Sequence, residues 1–264
     1  MIKVIKNFLK YREFLATVVK RDITKKYHKS YLGILWSVLR PLLTASVMWI
    51  AFNTLFERKL PNFIIYLLCG FLIIHFHDDA TSSALHSIMK NSTIIRKIYI
   101  PKYMFVVSDV MVSIINMAFS LVPLAFFIII TGTKITWLWI FIPFLLIMLF
   151  MFSLGISLIV STYNVFFRDL AHLYGVLLVI GHYLSAVFYP ITIIPQEYLF
   201  LWRLNPIFHY ITLFRAIIYN PSFPDLIPMP TINDIVIACV YSVLTLAMGC
   251  VIFNENQEKF FLYM

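Results

Sequence analysis

The residues best suited to chemistry lie together in an apolar setting: His75, His77, Asp78 and Asp79, within IIHFHDDA at 73–80. Ionisable groups at membrane depth are costly and mark functional positions by default. Each helical residue advances about 100°, so His75 stands one turn from Asp78 and Asp79, while His77 points elsewhere. The group fits a polar patch lining a water-filled route, a structural contact between helices, or a metal site. Acid–base catalysis would need further acids, and Asp109 is the other deep carboxylate the sequence offers. His86, His172, His182 and His209 are scattered and read as packed or interfacial side chains. No G-x-x-x-x-G-K-[ST], G-x-S-x-G or H-E-x-x-H run occurs, so the chain carries no recognisable nucleotide site, esterase nucleophile or zinc-protease helix.

The elements that must position these residues follow from composition. The 264 residues are 61% hydrophobic and 12% charged, with a mean hydropathy of +0.89. A soluble domain carries about 25% charged residues, so a water-soluble fold is excluded. The formal charge is +9. The basic residues crowd into positions 1–29 and a few short loops, where anionic lipid head groups are a simpler partner than nucleic acid. Cys69, Cys239 and Cys250 lie in apolar runs without metal or disulfide spacing and read as small buried side chains.

Stretches free of Asp, Glu, Lys and Arg run 41–56, 60–77, 110–133, 135–167, 170–196 and 235–254. A helix needs about 20 apolar residues to cross the hydrocarbon core. The spacing predicts an all-α membrane protein with six spans over about 32–56, 62–86, 105–131, 138–162, 170–190 and 232–254. Residues 2–28 alternate apolar positions (Val4, Phe8, Tyr11, Leu15, Val18, Val19, Ile23 and Tyr27) with basic ones at helical spacing. That predicts an amphipathic helix lying in the interface over residues 1–30. Fifteen of the 21 Lys and Arg fall on one side, in 1–29 and at Lys90, Arg96, Lys97, Lys102, Arg168 and Lys259. The other side collects Arg58, Lys59, Lys134, Arg203 and Arg215, with Arg40 left inside the first span. The positive-inside rule therefore places both termini, including the 255–264 tail, in the cytoplasm.

Residues 88–103 (IMKNSTIIRKIYIPKY) and 163–170 (YNVFFRDL) read as short amphipathic elements able to fit a groove on a soluble partner. Between 187 and 230, seven prolines interrupt a stretch that stays apolar, which predicts short re-entrant helices before the last span. Ser153, Ser157 and Ser161 recur every four residues, a close-packing face within the chain or between copies.

Five runs in order carry a resemblance: KRDITKKYHKSYLGILWSVLRPLL (20–43), NSTIIRKIYIPKY (91–103), NVFFRDL (164–170), FYPITIIPQEY (188–198) and NPIFHYITLFRAIIY (205–219). Together they resemble the type-2 ABC-exporter permeases of the polysaccharide and polyol-phosphate family, which export O-antigen, capsule or teichoic-acid chains, and the likeness covers nearly the whole chain. The resemblance implies a homodimer of six-span subunits in the bacterial inner membrane. Each subunit would be bound to a separate cytoplasmic ATPase subunit, two copies in all, and Mg-ATP would bind there, with no cofactor on this chain. It implies ATPase coupling through Arg21, Lys25, Arg96, Lys97, Tyr99, Pro101, Phe167, Arg168 and Asp169. The substrate, a lipid-linked polysaccharide, would pass between the first and fifth spans, along Trp49, Phe52, Phe56, Tyr183, Phe188 and Tyr189, with His77 and Asp78 on the route. One departure from relatives is IIHFHDDA itself, whose acids favour a neutral glycan over an anionic polymer. Two other activities stay open on the residues alone. They are a membrane-embedded transferase acting on lipid-linked sugars through Asp78 and Asp79, and an ion-coupled transporter using Asp78, Asp79 and Asp109 as a proton relay.

Overall fold

A computed structural model describes residues 10–27, 32–33, 35–56, 61–223 and 230–263, with the backbone alone at 52–56. The expected interface helix is seen as α1, Arg12–Tyr27, with Glu13 in its first turn and Lys25 and Lys26 in its last, complementing the helix dipole. Its first residues, 1–9, lie outside the described region. The buried side of α1 is Leu15, Val18 and Asp22, one residue per turn or two. Phe14 sets its ring edge-on to Phe105 at 5.6 Å.

Eleven further α-helices and their connections follow among the described residues. α2 spans Leu35–Phe56 with Pro41 inside, and α3 spans Phe63–Leu85. Two short helices follow, α4 (Ser87–Lys90) and α5 (Ser92–Lys97), covering most of the expected 88–103 element. α6 runs Tyr103–Thr131 and stops at Gly132, whose φ of 65° lets its N–H reach back to the carbonyls of Ile128 and Ile129. A 3₁₀ turn at Trp137–Phe141 leads into α7, Ile142–Phe166. α8 is Leu170–Tyr183. After α9 (Leu199–Arg203) and α10 (Pro206–Ile218), the chain reaches α11, Ile232–Asn256, and a last turn, α12, at Phe260–Tyr263. The starts of α10 and α11 are set by local chemistry. Asn205 accepts from the Ile207 N–H ahead of Pro206, and Thr231 with Asp234 forms a reciprocal capping box.

Among the described residues, four helical stretches are long and apolar enough to cross a membrane: Phe63–Leu85, Tyr103–Thr131, Trp137–Phe166 and Ile232–Asn256. They coincide with four of the six expected spans. α2 is apolar over Leu35–Ala51, and α8 and α10 are shorter apolar helices. Of the expected fifth span, 170–190, the helix covers only the first part: α8 ends at Tyr183 after 14 residues, about 21 Å at 1.5 Å per residue. The chain then turns through Ala186, which adopts a left-handed φ of 48°, before Pro190.

α3 is the axis of the bundle, buried on nearly every side from Phe63 to Leu85. A helix apolar all round belongs in such an interior. Its neighbours are α6, α7, α2 and α10. α7 and α11 bring their backbones together at Gly155 and Gly249, with no room for a side chain at either. Ser153, Ser157 and Ser161 are fully buried within this one chain, so the small-residue face packs intramolecularly. A second cluster joins Ala84, Ile88, Ile95, Phe105, Val165, Phe253 and Phe260, with Phe14 against it. It brings α1, the α4–α5 element, the end of α7 and the C-terminal turn to one end of the bundle.

Candidate functional site

Beside that end lies an open cavity of about 430 Å³ lined by α1, α2, α3, α6 and α8. Each long helix contributes one stripe. α2 presents Trp36, Ser37, Arg40 and Pro41, and α6 presents Ser113, Asn116, Met117 and Ser120, both at the three- and four-residue spacing of a helix face. α3 supplies Phe71, His75, Asp78, Asp79 and Ser82, and α8 supplies His182.

The acids at the cavity are all engaged. Lys26 donates to both oxygens of Asp79, at 3.2 and 3.3 Å, and Asn116 Nδ2 donates to Asp79 Oδ2 at 2.7 Å. The Tyr27 hydroxyl donates to Asn116 Oδ1 at 2.8 Å and also meets the Ser37 hydroxyl. His182 Nε2 pairs with Asp78 Oδ2. The His75 ring stacks on Phe71 with centroids 5.3 Å apart and stands edge-on to His182 at 6.5 Å. Arg40 lines the same cavity, is exposed, and makes no ion pair or hydrogen bond with any described residue.

At the wall behind Phe71, a buried arginine organises the turn after α8. Arg215 of α10 is 3% exposed. Its nitrogens donate to the carbonyls of Tyr66 (3.2 Å), Ala186 (2.9 Å) and Val187 (3.0 Å), and its guanidinium lies 3.4 Å over the Tyr66 ring. Non-helical backbone buried in the bundle needs such donors, because its carbonyls have no intrahelical partner. The turn carries an aromatic group. Phe188 packs near Phe71 and Tyr183, the Tyr189 hydroxyl donates to the Tyr183 carbonyl at 2.5 Å, and Trp202 Nε1 donates to the Tyr189 hydroxyl at 2.8 Å.

The end face carries a chain of charges. Arg21 Nε donates to Asp22 Oδ1 at 2.8 Å, and Arg21 Nη2 to Asn91 Oδ1 at 3.1 Å. Lys90 Nζ lies 3.5 Å from Asp22 Oδ2 and 3.6 Å from Asp109 Oδ1. This ties α1, α4 and α6 together through a carboxylate that sits on the buried side of α1. Lys102 pairs with the Gln257 carbonyl and lies 4.0 Å over the Phe261 ring. Burial holds its ammonium below the usual lysine range, with Glu258 opposing the shift. Beyond this chain stand side chains turned outward: Tyr99 is 97% exposed, Phe167 is 66% exposed, and Arg96, Lys97, Arg168 and Asp169 are exposed with them. Lys25 is exposed, while Arg21 and Pro101 are half-buried.

Of the residues expected on a route, Tyr183, Phe188 and Tyr189 come together, and Asp78 faces the cavity. His77 does not join Asp78: it is buried, stacked on Phe152 at 5.2 Å, with Nδ1 3.0 Å from Ser153 Oγ. Trp49 is exposed on α2, apart from these contacts, and the side chains of Phe52 and Phe56 lie outside the described residues. Two readings are corrected. Arg215, counted among the loop cations, is an interior clamp, and His182, read as a packed or interfacial histidine, is the partner of Asp78. Sequence reasoning also passed over Asn116. The stripe Ser113–Asn116–Ser120 in an apolar helix was its available signal.

A helical bundle with long apolar helices, a polar cavity between them and a basic end face is the architecture of a membrane protein. The chain matches the ABC-2 type transporter family over residues 13–219, and it belongs to that family. Along nearly its full length it is similar to the O-antigen export system permease protein RfbA of Myxococcus xanthus, 27% identical over 98% of both chains. It is also 27% identical to an RfbA of Klebsiella pneumoniae, over 94% of this chain and 93% of that one. The capsule polysaccharide export inner-membrane protein CtrC of Neisseria meningitidis is 21% identical over 83% of each.

Proposed function

We propose that this chain is the membrane-spanning permease subunit of an ATP-driven exporter that moves a lipid-linked polysaccharide across the cytoplasmic membrane. The observation that carries the reading is the end-to-end similarity to O-antigen export permeases together with the family match over 13–219. Two copies pair with each other and with two cytoplasmic ABC ATPase subunits, which hold Mg-ATP. Both termini face the cytoplasm, following the basic residues at the end where α1, the α4–α5 element and the C-terminal turn meet. Six crossings are made by the four long helices, by α2, and by α8 continued through the turn at 184–190. α9 and α10 re-enter from the outer side, and the Arg215 clamp supports that path by satisfying the carbonyls freed at the turn.

ATP-driven closure of the partner ATPases reaches this chain through Arg96, Lys97 and Tyr99 of the α4–α5 element and through Phe167, Arg168 and Asp169 between α7 and α8. The exposure of these side chains supports that role. The Arg21–Asp22–Lys90–Asp109 chain passes the movement from the end face into α6. Rings at Trp49, Tyr183, Phe188 and Tyr189 offer weak, repeated stacking on sugars, so a polymer slides without being trapped. No covalent step occurs on this polypeptide. Deleting the chain from its native cells tests the reading. Loss of surface glycan with lipid-linked chains accumulating inside is expected, and unchanged surface display would contradict it.

A further inference from the structure

At the end of the bundle where α11 begins, a buried histidine faces two acceptors. His209 of α10 is 0% exposed. Its Nδ1 lies 3.0 Å from Oδ1 of Asp234, in the first turn of α11, and its Nε2 lies 2.8 Å from the Arg203 carbonyl at the end of α9. A carbonyl can only accept, so Nε2 carries a proton. Asp234 is already used as an acceptor: its Oδ2 takes the Thr231 N–H at 2.8 Å and the Thr231 hydroxyl at 2.9 Å, within the capping box that starts α11. Of a carboxylate and an imidazole sharing one proton, the imidazole is the stronger base, so Nδ1 carries a proton as well. Two N–H donors on one ring are available only in the imidazolium form.

We infer that the His209–Asp234 pair is a proton-operated latch: charged, it fixes α10 to α9 and to the start of α11, and loss of one proton releases one of these contacts. The neutral ring keeps a single N–H, so one buried acceptor then faces a lone pair. The latch goes beyond the exporter reading and does not depend on it. What it holds is the seat of the turn after α8. Six residues along α10, Arg215 donates to the carbonyls of Ala186 and Val187. Phe208 packs with Ala186 and Ile194, and Asn205 donates to Ser185 Oγ at 2.7 Å. Releasing the first turn of α10 therefore loosens the turn that bears Phe188 and Tyr189. Among the described residues, the other titratable groups on elements packed against α10 are engaged elsewhere. The Arg203 side chain is exposed, and Tyr66, Cys69 and Tyr219 stand around Arg215. His75, His77, Asp78 and Asp79 lie in the far half of α3, and Glu255 lies at the far end of α11. Tyr210 bonds the Ala238 carbonyl and the Ser242 hydroxyl, and Cys239 meets Met148. α7 carries no Lys, Arg, Asp or Glu.

Hydrogen exchange of the full-length protein in phosphatidylcholine nanodiscs tests the latch. Protection of the α10 amides is followed from about pH 6 to about pH 9 and corrected for the intrinsic exchange rate. In the wild type it is expected to fall about tenfold across this range, the scale of one charge-assisted bond. In Asp234→Asn, the amide oxygen can keep both bonds from Thr231 while Nδ2 donates to a neutral His209 ring, so both contacts persist without a charge. Protection in Asp234→Asn should stay level across the range. His209→Gln should start below the wild type and also stay level. Level protection in the wild type, or a fall as steep in Asp234→Asn as in the wild type, would overturn the latch. Asp234→Asn decides the matter even where His209→Gln does not fold.

Discussion

A methyl group added to Gly70 would sit 2.7 Å from Nη2 of Arg215 and 3.1 Å from Cγ1 of Val187. Glycine at this point of α3 is what lets the guanidinium reach the carbonyls of Ala186 and Val187, and so shapes the turn that ends α8. Gly70→Ala should therefore destabilise the protein by about 1–3 kcal/mol, the usual cost of overpacking. Arg215→Met should lose about 3 kcal/mol, because buried carbonyls lose charge-assisted donors. Thermal unfolding in detergent measures both, and melting temperatures equal to the wild type in both variants would remove the clamp from the account.

Helices α7 and α11 are held at glycine distance. A Cβ at Gly155 would lie 2.4 Å from the Thr245 carbonyl carbon, and one at Gly249 would lie 2.5 Å from the Gly155 oxygen. Both obstacles are backbone, so the helices must part. Gly155→Ala is expected to cost about 3 kcal/mol, whereas Gly175→Ala and Gly181→Ala, with nothing within 4 Å, should leave stability unchanged. Comparable melting for Gly155→Ala and Gly181→Ala would contradict this packing.

Lys90 stands between Asp22 and Asp109, so its removal affects two carboxylates at once. Lys90→Met is expected to be the more damaging change, by about 1–3 kcal/mol. Asp22→Asn leaves Lys90 with Asp109 and should spare stability while reducing ATP-driven export severalfold. Stability and surface glycan measured side by side decide it. Full export in Asp22→Asn would remove the network from the coupling route.

The Tyr189 hydroxyl links the Tyr183 carbonyl to the Trp202 indole. Tyr189→Phe keeps the ring and loses both bonds, loosening the turn, whereas Tyr189→Ala also removes a stacking surface. Export should fall in both variants, more in Tyr189→Ala, with assembly of the complex intact. Normal polymer display in Tyr189→Ala would take this ring off the route, and Phe52→Ala serves as the companion test on α2.

The long helices were legible because a continuous apolar run of span length admits one solution in lipid. The end of α8 was not, since it depends on a left-handed Ala186, a residue type that gives no warning of positive φ. Asp78 and Asp79 were recognised as unusual, yet their partners lie 104 and 53 residues away, at His182 and Lys26, beyond the reach of any spacing rule. Arg215 was misassigned for a related reason: a count of charges cannot tell a loop cation from one buried over Tyr66. The exposure of Arg96, Lys97, Arg168 and Asp169 was legible, because charge on short connections depends little on tertiary packing.

The central claim is that this chain is the membrane half of an ATP-driven machine. Purifying the tagged protein from its native cells in mild detergent, identifying what co-purifies and weighing the complex tests it most directly. The account predicts a P-loop ATPase at equal stoichiometry, with two copies of each chain, and its loss in Arg168→Glu while the permease itself stays folded. A preparation free of any ATPase across several detergents, or undiminished ATPase binding and coupling in Arg168→Glu, would contradict the claim or its coupling surface respectively.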